Sequence, residues 1–574
     1  MNKSFFMLFA SLLGLGSGVH AALPLEDPVN SRMCVIGGGI SAAMESYYAH
    51  QDALKKGKKI CVTVYEKGGS FIASPGEELS ANTACNIVGS LTTDEILSIV
   101  PRGSELVEKL SILFSEPGGI RVDDVPGAND SEAALRFKQS VAFYASDPNH
   151  NDRTMSLLML GKKSMGLWQE IYEEGDEELK AIFRASNFHP CHEPSKIDKK
   201  MLHDGYRIDL LYGIQDAEKR ALKMKADYDS IGYRNCAILT PDEVEALDPF
   251  LADFCSDHSY RDPLLGRIWN RDCVALWRPG GCLDSGVFIP KFYDYLKKAM
   301  GQYIDGEGKT QDCFQYHFNK EATGVEFASD PKGLRVAGLH FADGTSQVEN
   351  LTESIVQYVF CPGEAVGTLH SLGFNEPDYA AFAGPSLLLS IPLRDDQIDQ
   401  YRNFSHCMEV HKEGITLAWQ ARLRDRSIFI GVAGTKSFYG DKRPKIDEEF
   451  AKNRHSVQIN MINDVLPEFI SLAQGVDTRG KILSEDELSS LVDAAIARRW
   501  VGRRAVAYDG YPTLGSLYRG DLKVANARCT THLGSGGVSF SPGAVFMSRL
   551  ADQEIQDPFV EKILKYSDSR RTVH

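Results

Sequence analysis

The sequence has no excess of positive charge, no cysteine pair at zinc-ligand spacing, and no long apolar run after its first residues. Each absence excludes something. Binding nucleic acid requires clustered Lys and Arg to neutralise phosphates. A chain of formal net charge −15, whose "KKGKK" at Lys55–Lys59 reads as a solvated turn, is not built for that partner. The 12 cysteines are scattered singly, which excludes the disulfide framework of a small stapled domain. Several of them (Cys34, Cys61, Cys361) fall in apolar strand-like runs, where cysteine acts as a small buried hydrophobe. The "HPCHE" at His189–Glu193 offers three ligand types but no second pair at a standard spacing, so no metal site is expected. A spanning helix needs about 20 apolar residues, and no stretch of the mature chain supplies them.

What is present begins at the first residue. Lys3, the apolar Phe5–Leu15 and the small-residue Val19-His20-Ala21 form a charged start, a short hydrophobic region and a cleavage site. That is the pattern of a secretory signal, so residues 1–21 are expected to be removed and the mature chain exported, to a periplasm or secreted. At 574 residues the remainder exceeds one simple core and suggests roughly three or four domain-sized units. Its 43% hydrophobic and 25% charged content is that of a globular protein.

The most informative stretch is Met33–Met44, "MCVIGGGISAAM". A short apolar run predicts a strand over 33–37, small residues predict a helix over 39–54, and "ICVTVYE" predicts a second strand over 60–66. Strand, glycine turn, helix and strand make the βαβ unit of a parallel doubly wound sheet. The G-x-G-x-x-A template falls on Gly37, Gly39 and Ala42. The first glycine makes the tight turn, the second lets backbone approach a pyrophosphate, and the third small residue packs helix on strand. Glu66 ends the next strand 29 positions after Gly37, where a carboxylate accepts hydrogen bonds from a ribose hydroxyl. An acid there disfavours a 2′-phosphate. An ordinary tight turn with a strand-end glutamate is the competing reading.

Farther along, 95–235 reads as helical and charged, without repeats. Thr240 with Pro241 and Glu243 starts a helix. Strands return from about 312, with a hairpin turning at Asp343-Gly344 and buried strands in "SIVQYVFCPG", "GPSLLLSIPL" and "DRSIFIGVAG". The last part is again strand, glycine-rich turn and helix. Glycine turns at both ends imply a discontinuous nucleotide domain with a mixed domain inserted between its pieces.

Several segments together resemble the D-amino-acid-oxidase-like family of FAD-dependent oxidoreductases. "CVIGGGISAAMESYYA" with "VTVYEKG" is similar to its N-terminal FAD fingerprint, which carries Gly37, Gly39, Ala42, Glu66 and Lys67. "EELSANTACN" resembles the following flavin-lining segment, with Ser80. "FNKEATGVE" resembles the strand whose backbone meets the adenine, at Ala322, and "YVFCPGEA" the strand that closes on the cofactor at Gly363. "WVGRRAVAYDGYPTLG" is similar to the family's W-x-G-x-R-P-x-x-x-D-G-x-P-x-x-G segment. "LGSGGVSFSPG" resembles the final turn facing the flavin ring, with Gly534, Ser535, Gly536 and Gly537. The chain departs from the pattern at Ala505, where the family has proline, and at His532, which stands two residues before Gly534 instead of one. No family motif matches the helical stretch from about 100 to 235.

The resemblance implies an α/β fold: a discontinuous Rossmann-like FAD-binding domain with an inserted mixed-sheet α+β substrate domain and an extra helical segment. The expected divisions are 31–100, 241–310, 311–365 and 496–574 for the FAD-binding domain, 101–240 for a helical insertion and substrate cap, and 366–495 for the substrate-binding sheet. It also implies hydride transfer from an amine, an amino acid first among amines, to FAD. Arg504 stands where a guanidinium clamps a substrate carboxylate, a task suited to its planar fork. Gly534, Gly536 and Gly537 would aim backbone N–H groups at the flavin carbonyl as negative charge develops. Oxidation of a hydroxy compound by the same fold, or a silent nucleotide-binding protein, are the competing functions. The electron acceptor is left open between oxygen and a quinone.

Overall fold

The computed structural model describes residues 31–70, 88–91, 120–121, 131–146, 150–186, 206–211, 217–230, 232, 236–239, 243, 261–262, 267–268, 274–279, 281–305, 308–331, 333–348, 356–363, 367–398, 405–412, 415–424, 426–434, 436–438, 486, 490, 493–534, 537–551 and 557–571. The elements that matter to the site, in chain order, begin with β1 (Ser31–Ile36), α1 (Ile40–Lys55), β2 (Ile60–Tyr65), α2 (His150–Glu174), β3 (Tyr206–Leu211), β4 (Val274–Pro279) and α3 (Ser285–Met300). There follow β5 (Phe314–His317), β6 (Ala322–Asp330), β7 (Gly333–Phe341), β8 (Val356–Phe360), β9 (Tyr379–Pro392), β10 (Ser405–Lys412), β11 (Ile415–Arg424) and β12 (Ser427–Gly434). The last are β13 (Ile496–Ala507), β14 (Thr513–Arg519), β15 (Leu522–Thr531), α4 (Gly537–Leu550) and α5 (Pro558–Ser567).

The first sheet runs β5-β2-β1-β8-β15-β7-β6, with β14 beside β15. From β5 to β15 the strands are parallel: β1 pairs with β2 and β8, and β8 with β15. Such strands are buried on both faces, which is why they read as near-continuous apolar runs. The period of two divides them cleanly. Met33, Val35, Val62, Val64 and Val359 face a core shared with α1 and α3, which contributes Phe288, Ile289, Phe292, Tyr293 and Leu296. Cys34, Ile36, Tyr65, Tyr358 and Phe360 face the opposite core, made with Val336, Leu339 and Phe341 of β7. The expected hairpin follows β7, with Gly344 at φ +81 in its turn.

The second sheet is mostly antiparallel and runs β9-β12-β11-β10-β3-β4, with β13 paired to β9. Leu387, Leu389 and Ile391 of β9 are buried, as are Ile428, Ile430 and Val432 of β12. β3 lies inside the stretch whose sequence reads as helical. It pairs with β4 and β10, so its strand character comes from non-local partners that the local pattern does not announce. The helical insertion also reaches the first domain. Ser164 Oγ of α2 donates to the Ser539 carbonyl (2.5 Å) and Trp168 Nε1 to the Val538 carbonyl (3.1 Å), both on α4. A Cβ at Gly543 would lie 3.0 Å from Ser164 Cβ, so glycine permits this helix contact.

Candidate functional site

β1 ends at Ile36 between Tyr65 and Phe360, so three strand ends stand side by side where the chain departs from β1 to both sides. Such a switch point, at the carboxyl ends of parallel strands, is where doubly wound sheets bind ligands. Gly37 donates its N–H to the Tyr65 carbonyl (2.8 Å) and turns at φ +105. A Cβ there would stand 2.1 Å from the Cys361 carbonyl oxygen, so only glycine fits. Gly38 is confined less severely, its Cβ position lying 2.9 Å from the side-chain Glu66 Oε2. Gly39 is different: its φ is −79 and a Cβ would meet nothing within 4 Å. Ala42 is fully buried against the sheet. α1 starts with no side-chain cap and no acidic residue in its first turn, so among the described residues no carboxylate of its own first turn answers its positive end.

Glu66 follows β2 and is buried. Its Oε2 accepts from Gly38 N (2.7 Å) and its Oε1 from Gly68 N (2.8 Å), so the carboxylate is held at the mouth of the glycine turn. Lys67 comes next, half-buried. Lys320 N donates to the Glu66 carbonyl (2.9 Å), which carries Ala322, at the start of β6, to the same edge. His317 stacks on Tyr65 at 5.5 Å, and burial, then Lys320, lower its pKa, which keeps the ring neutral at pH 7. Gly363, at φ +59, is exposed just beyond β8. Burial, then Glu45, pushes the neighbouring Cys361 thiol well above its ordinary range, so it is a packing residue and not a nucleophile.

The second glycine turn lies at the same end of the sheet. β15 pairs with β8 at Phe360↔Cys529, and Gly534 follows at φ +56 before α4 begins at Gly537. Ser41 Oγ of α1 and Ser541 Oγ of α4 are 2.9 Å apart and buried, so the two helix starts touch. A buried carboxylate ties them below: Glu45 of α1 accepts from Arg528 (2.7 Å) and Thr530 Oγ1 (3.3 Å) of β15, and Arg549 of α4 lies 3.5 Å away. Gly37, Gly39, Glu66, Lys67, Ala322, Gly363 and Gly534 therefore lie at one end of the sheet, with Gly537 starting α4 and Ala42 packed beneath in the core. Ser80, Ser535, Gly536, the Thr240 helix start and the His189–Glu193 cluster lie outside the described residues.

Arg504 is buried on β13, opposite Phe382 of β9. Three residues on, Ala507 pairs with Tyr379, whose ring stacks on His532 at 5.8 Å and 21°. The strand carrying Arg504 thus ends against the second glycine turn. His532 itself holds φ +58, with Nδ1 2.8 Å from Thr513 Oγ1 and Nε2 3.1 Å from Glu376 Oε1. Sequence reasoning noticed His532 only as a departure and had no signal for Glu376, which is 156 residues away.

The donor set fits a dinucleotide. An open glycine at an uncapped helix start suits a pyrophosphate, and a buried carboxylate beside that turn suits ribose hydroxyls. No family model matches the chain, and no curated protein matches it. Solved structures do. A fructosyl peptide oxidase from E. terrenum is 12% identical, covering 95% of this chain and 93% of its own, with TM-score 0.52. A modified fructosyl peptide oxidase from Aspergillus nidulans is 12% identical, covering 94% of each chain, with TM-score 0.52. An Amadoriase I mutant from Aspergillus fumigatus is 10% identical, covering 94% of this chain and 90% of its own, with TM-score 0.50. The chain has the fold of these proteins, and it is the fold that the motif resemblance implied.

Proposed function

We propose that this protein is an FAD-dependent oxidoreductase that oxidises an amine, an amino acid first among amines, by hydride transfer to the flavin. The observation that carries the reading is the meeting of the two glycine turns, sealed by the Ser41–Ser541 contact, with the Glu66 carboxylate at their rim. The fold shared with fructosyl peptide oxidases supports an amine as the substrate class. The chemistry supplied by a bound FAD is acceptance of a hydride from a carbon beside nitrogen. The chain's own residues would bind and orient. The Gly37–Gly39 turn and the α1 start would hold the pyrophosphate, Glu66 the adenosine ribose, and Ala322 and Gly363 the adenine end. The α4 start and Gly534 would direct N–H groups at the ring's carbonyl edge. Arg504 would clamp a substrate carboxylate. No side-chain base is required when the amine arrives neutral.

The signal-like start supports export, with oxygen or a quinone as electron acceptor. Among the described residues, no helix is long and apolar enough to cross a membrane. N-terminal sequencing of the secreted protein should begin near Ala22. For the activity, purified protein reconstituted with FAD is titrated anaerobically with amino acids, uncharged amines and hydroxy acids while flavin absorbance is followed. Bleaching by amines is expected. Bleaching by hydroxy acids alone would move the activity to alcohols, and a protein that takes up no FAD would remove the enzyme.

A further inference from the structure

We infer that Arg571 is a positioning residue for the turn on the flavin side of the site, acting through Thr513 and His532; this rests on the proposed function. Arg571 is almost fully buried, and all three of its guanidinium nitrogens donate. Nε and Nη2 reach Asp509 (2.9 and 3.2 Å), Nη2 also reaches the Tyr511 carbonyl (2.6 Å), and Nη1 reaches Thr513 Oγ1 (3.1 Å) and the Asp568 carbonyl (3.2 Å). Asp509 is held from the other side by Arg153 of α2 at 2.7 Å, so the guanidinium sits on a fixed anchor.

Arginine has no acceptor, so Thr513 Oγ1 must accept from it, and the same oxygen also hydrogen-bonds His532 Nδ1 at 2.8 Å. Glu376 Oε1 accepts from Nε2 at 3.1 Å. Both nitrogens of His532 are thereby fixed, and Tyr379 covers the ring face. His532 needs that grip. It holds φ +58, a backbone state that an L residue keeps only against strain, and it stands two residues before Gly534. Released, the histidine would relax toward negative φ and rotate the following turn away from the strand ends that place it. The chain of contacts therefore transmits the position of the Asp568–Arg571 segment to the cofactor turn. It links the helical insertion, through Arg153 and Asp509, to the same point.

The test is a double-mutant cycle of Arg571→Ala and Thr513→Val, read in two ways. FAD affinity is measured by flavin fluorescence on titrating apoprotein, and backbone hydrogen exchange is followed at Thr531–Gly534 in apoprotein. Each single variant should weaken FAD about tenfold, the double variant no more than either alone, and exchange at Thr531–Gly534 should quicken about tenfold while the β9–β12 strands stay unchanged. Additive losses of affinity, or unchanged exchange at that turn, would overturn the proposal. Should Arg571→Ala fail to fold, Thr513→Val alone decides, since it leaves the Asp509 anchor intact. If the unmodified protein binds no FAD, the proposed function fails, and the exchange measurement still decides the role of Arg571.

Discussion

Two glycines two positions apart are expected to respond to substitution in opposite ways. At Gly37 an added methyl would enter the Cys361 carbonyl at 2.1 Å and its carbon at 2.9 Å, at φ +105. Both are backbone atoms, fixed because Cys361 N donates to the Ile36 carbonyl at 2.8 Å, so relief requires parting β1 from β8. The unfavourable backbone state alone costs about 1–3 kcal/mol and the overlap adds to it, so Gly37→Ala should lower the melting temperature of apoprotein and abolish FAD binding. At Gly39, φ −79 and ψ −171 already suit a helix-capping residue, and the space is open. Gly39→Asp supplies the missing cap and a negative charge at the positive helix end, a gain of about 0.5–1 kcal/mol. The apoprotein should melt no lower than the parent. FAD should be lost all the same, because the aspartate occupies the N–H groups and repels the pyrophosphate. Two charge-assisted hydrogen bonds at about 1.5–3 kcal/mol each set that loss at a hundredfold or more. The measurements are thermal melts of apoprotein and flavin fluorescence titrations. A Gly39→Asp protein that binds FAD normally would refute the pyrophosphate assignment, and an undisturbed Gly37→Ala would refute the steric one.

Glu66→Gln cannot accept equally from Gly38 and Gly68, and should weaken FAD about ten- to a hundredfold by fluorescence titration; an unchanged dissociation constant would contradict the ribose role. Arg504→Ala should raise KM for amino acids at least about tenfold more than for uncharged amines in steady-state assays, and equal effects would reject the clamp. Glu45→Ala strands buried Arg528, while Arg549 keeps Asp52, and should cost about 3–5 kcal/mol in denaturant unfolding of apoprotein, whereas a loss under about 1 kcal/mol would show the Arg528 pair to be dispensable. For Asp509, burial alone would raise the carboxyl, but Arg571 and Arg153 outweigh it and hold it below its ordinary value. A depressed folded-state pKa stabilises above the unfolded value of about 3.9 and is lost as pH falls through the folded one, so apoprotein should lose stability in acid below about pH 4. Asp509→Asn should flatten that limb of the melting-temperature profile, and an unchanged limb would assign it to other carboxylates.

The cofactor half of the fold was legible because its information is local. β1, the turn, α1 and β2 fall within two residues of the expected spans, since a period of two, a run of glycines and a small-residue helix all lie within one window. The hairpin at Asp343-Gly344 was readable for the same reason. β3 was not, because a strand paired to β10 and β4 owes its state to residues far along the chain. The same distance hid the polar network around the second turn. Glu376, Thr513, Asp509, Arg153 and Arg571 carry no spacing relative to one another, and only the folded chain makes them neighbours.

The two departures from the family motif acquire a common physical sense from that network. Ala505 stands where a proline was expected, inside a pairing of β13 with β9 that runs from Ile496 to Ala507. Proline has no N–H to give a ladder, whereas alanine keeps one, so the strand continues unbroken past Arg504 to Ala507 and Tyr379. Tyr379 then meets His532, the second departure. A histidine directly before Gly534 would place its ring elsewhere; two residues before, at φ +58, it reaches Thr513, Glu376 and Tyr379 together. The continuous strand and the displaced histidine are thus complementary. One brings the arginine-bearing sheet up to the turn, and the other fastens the turn to it.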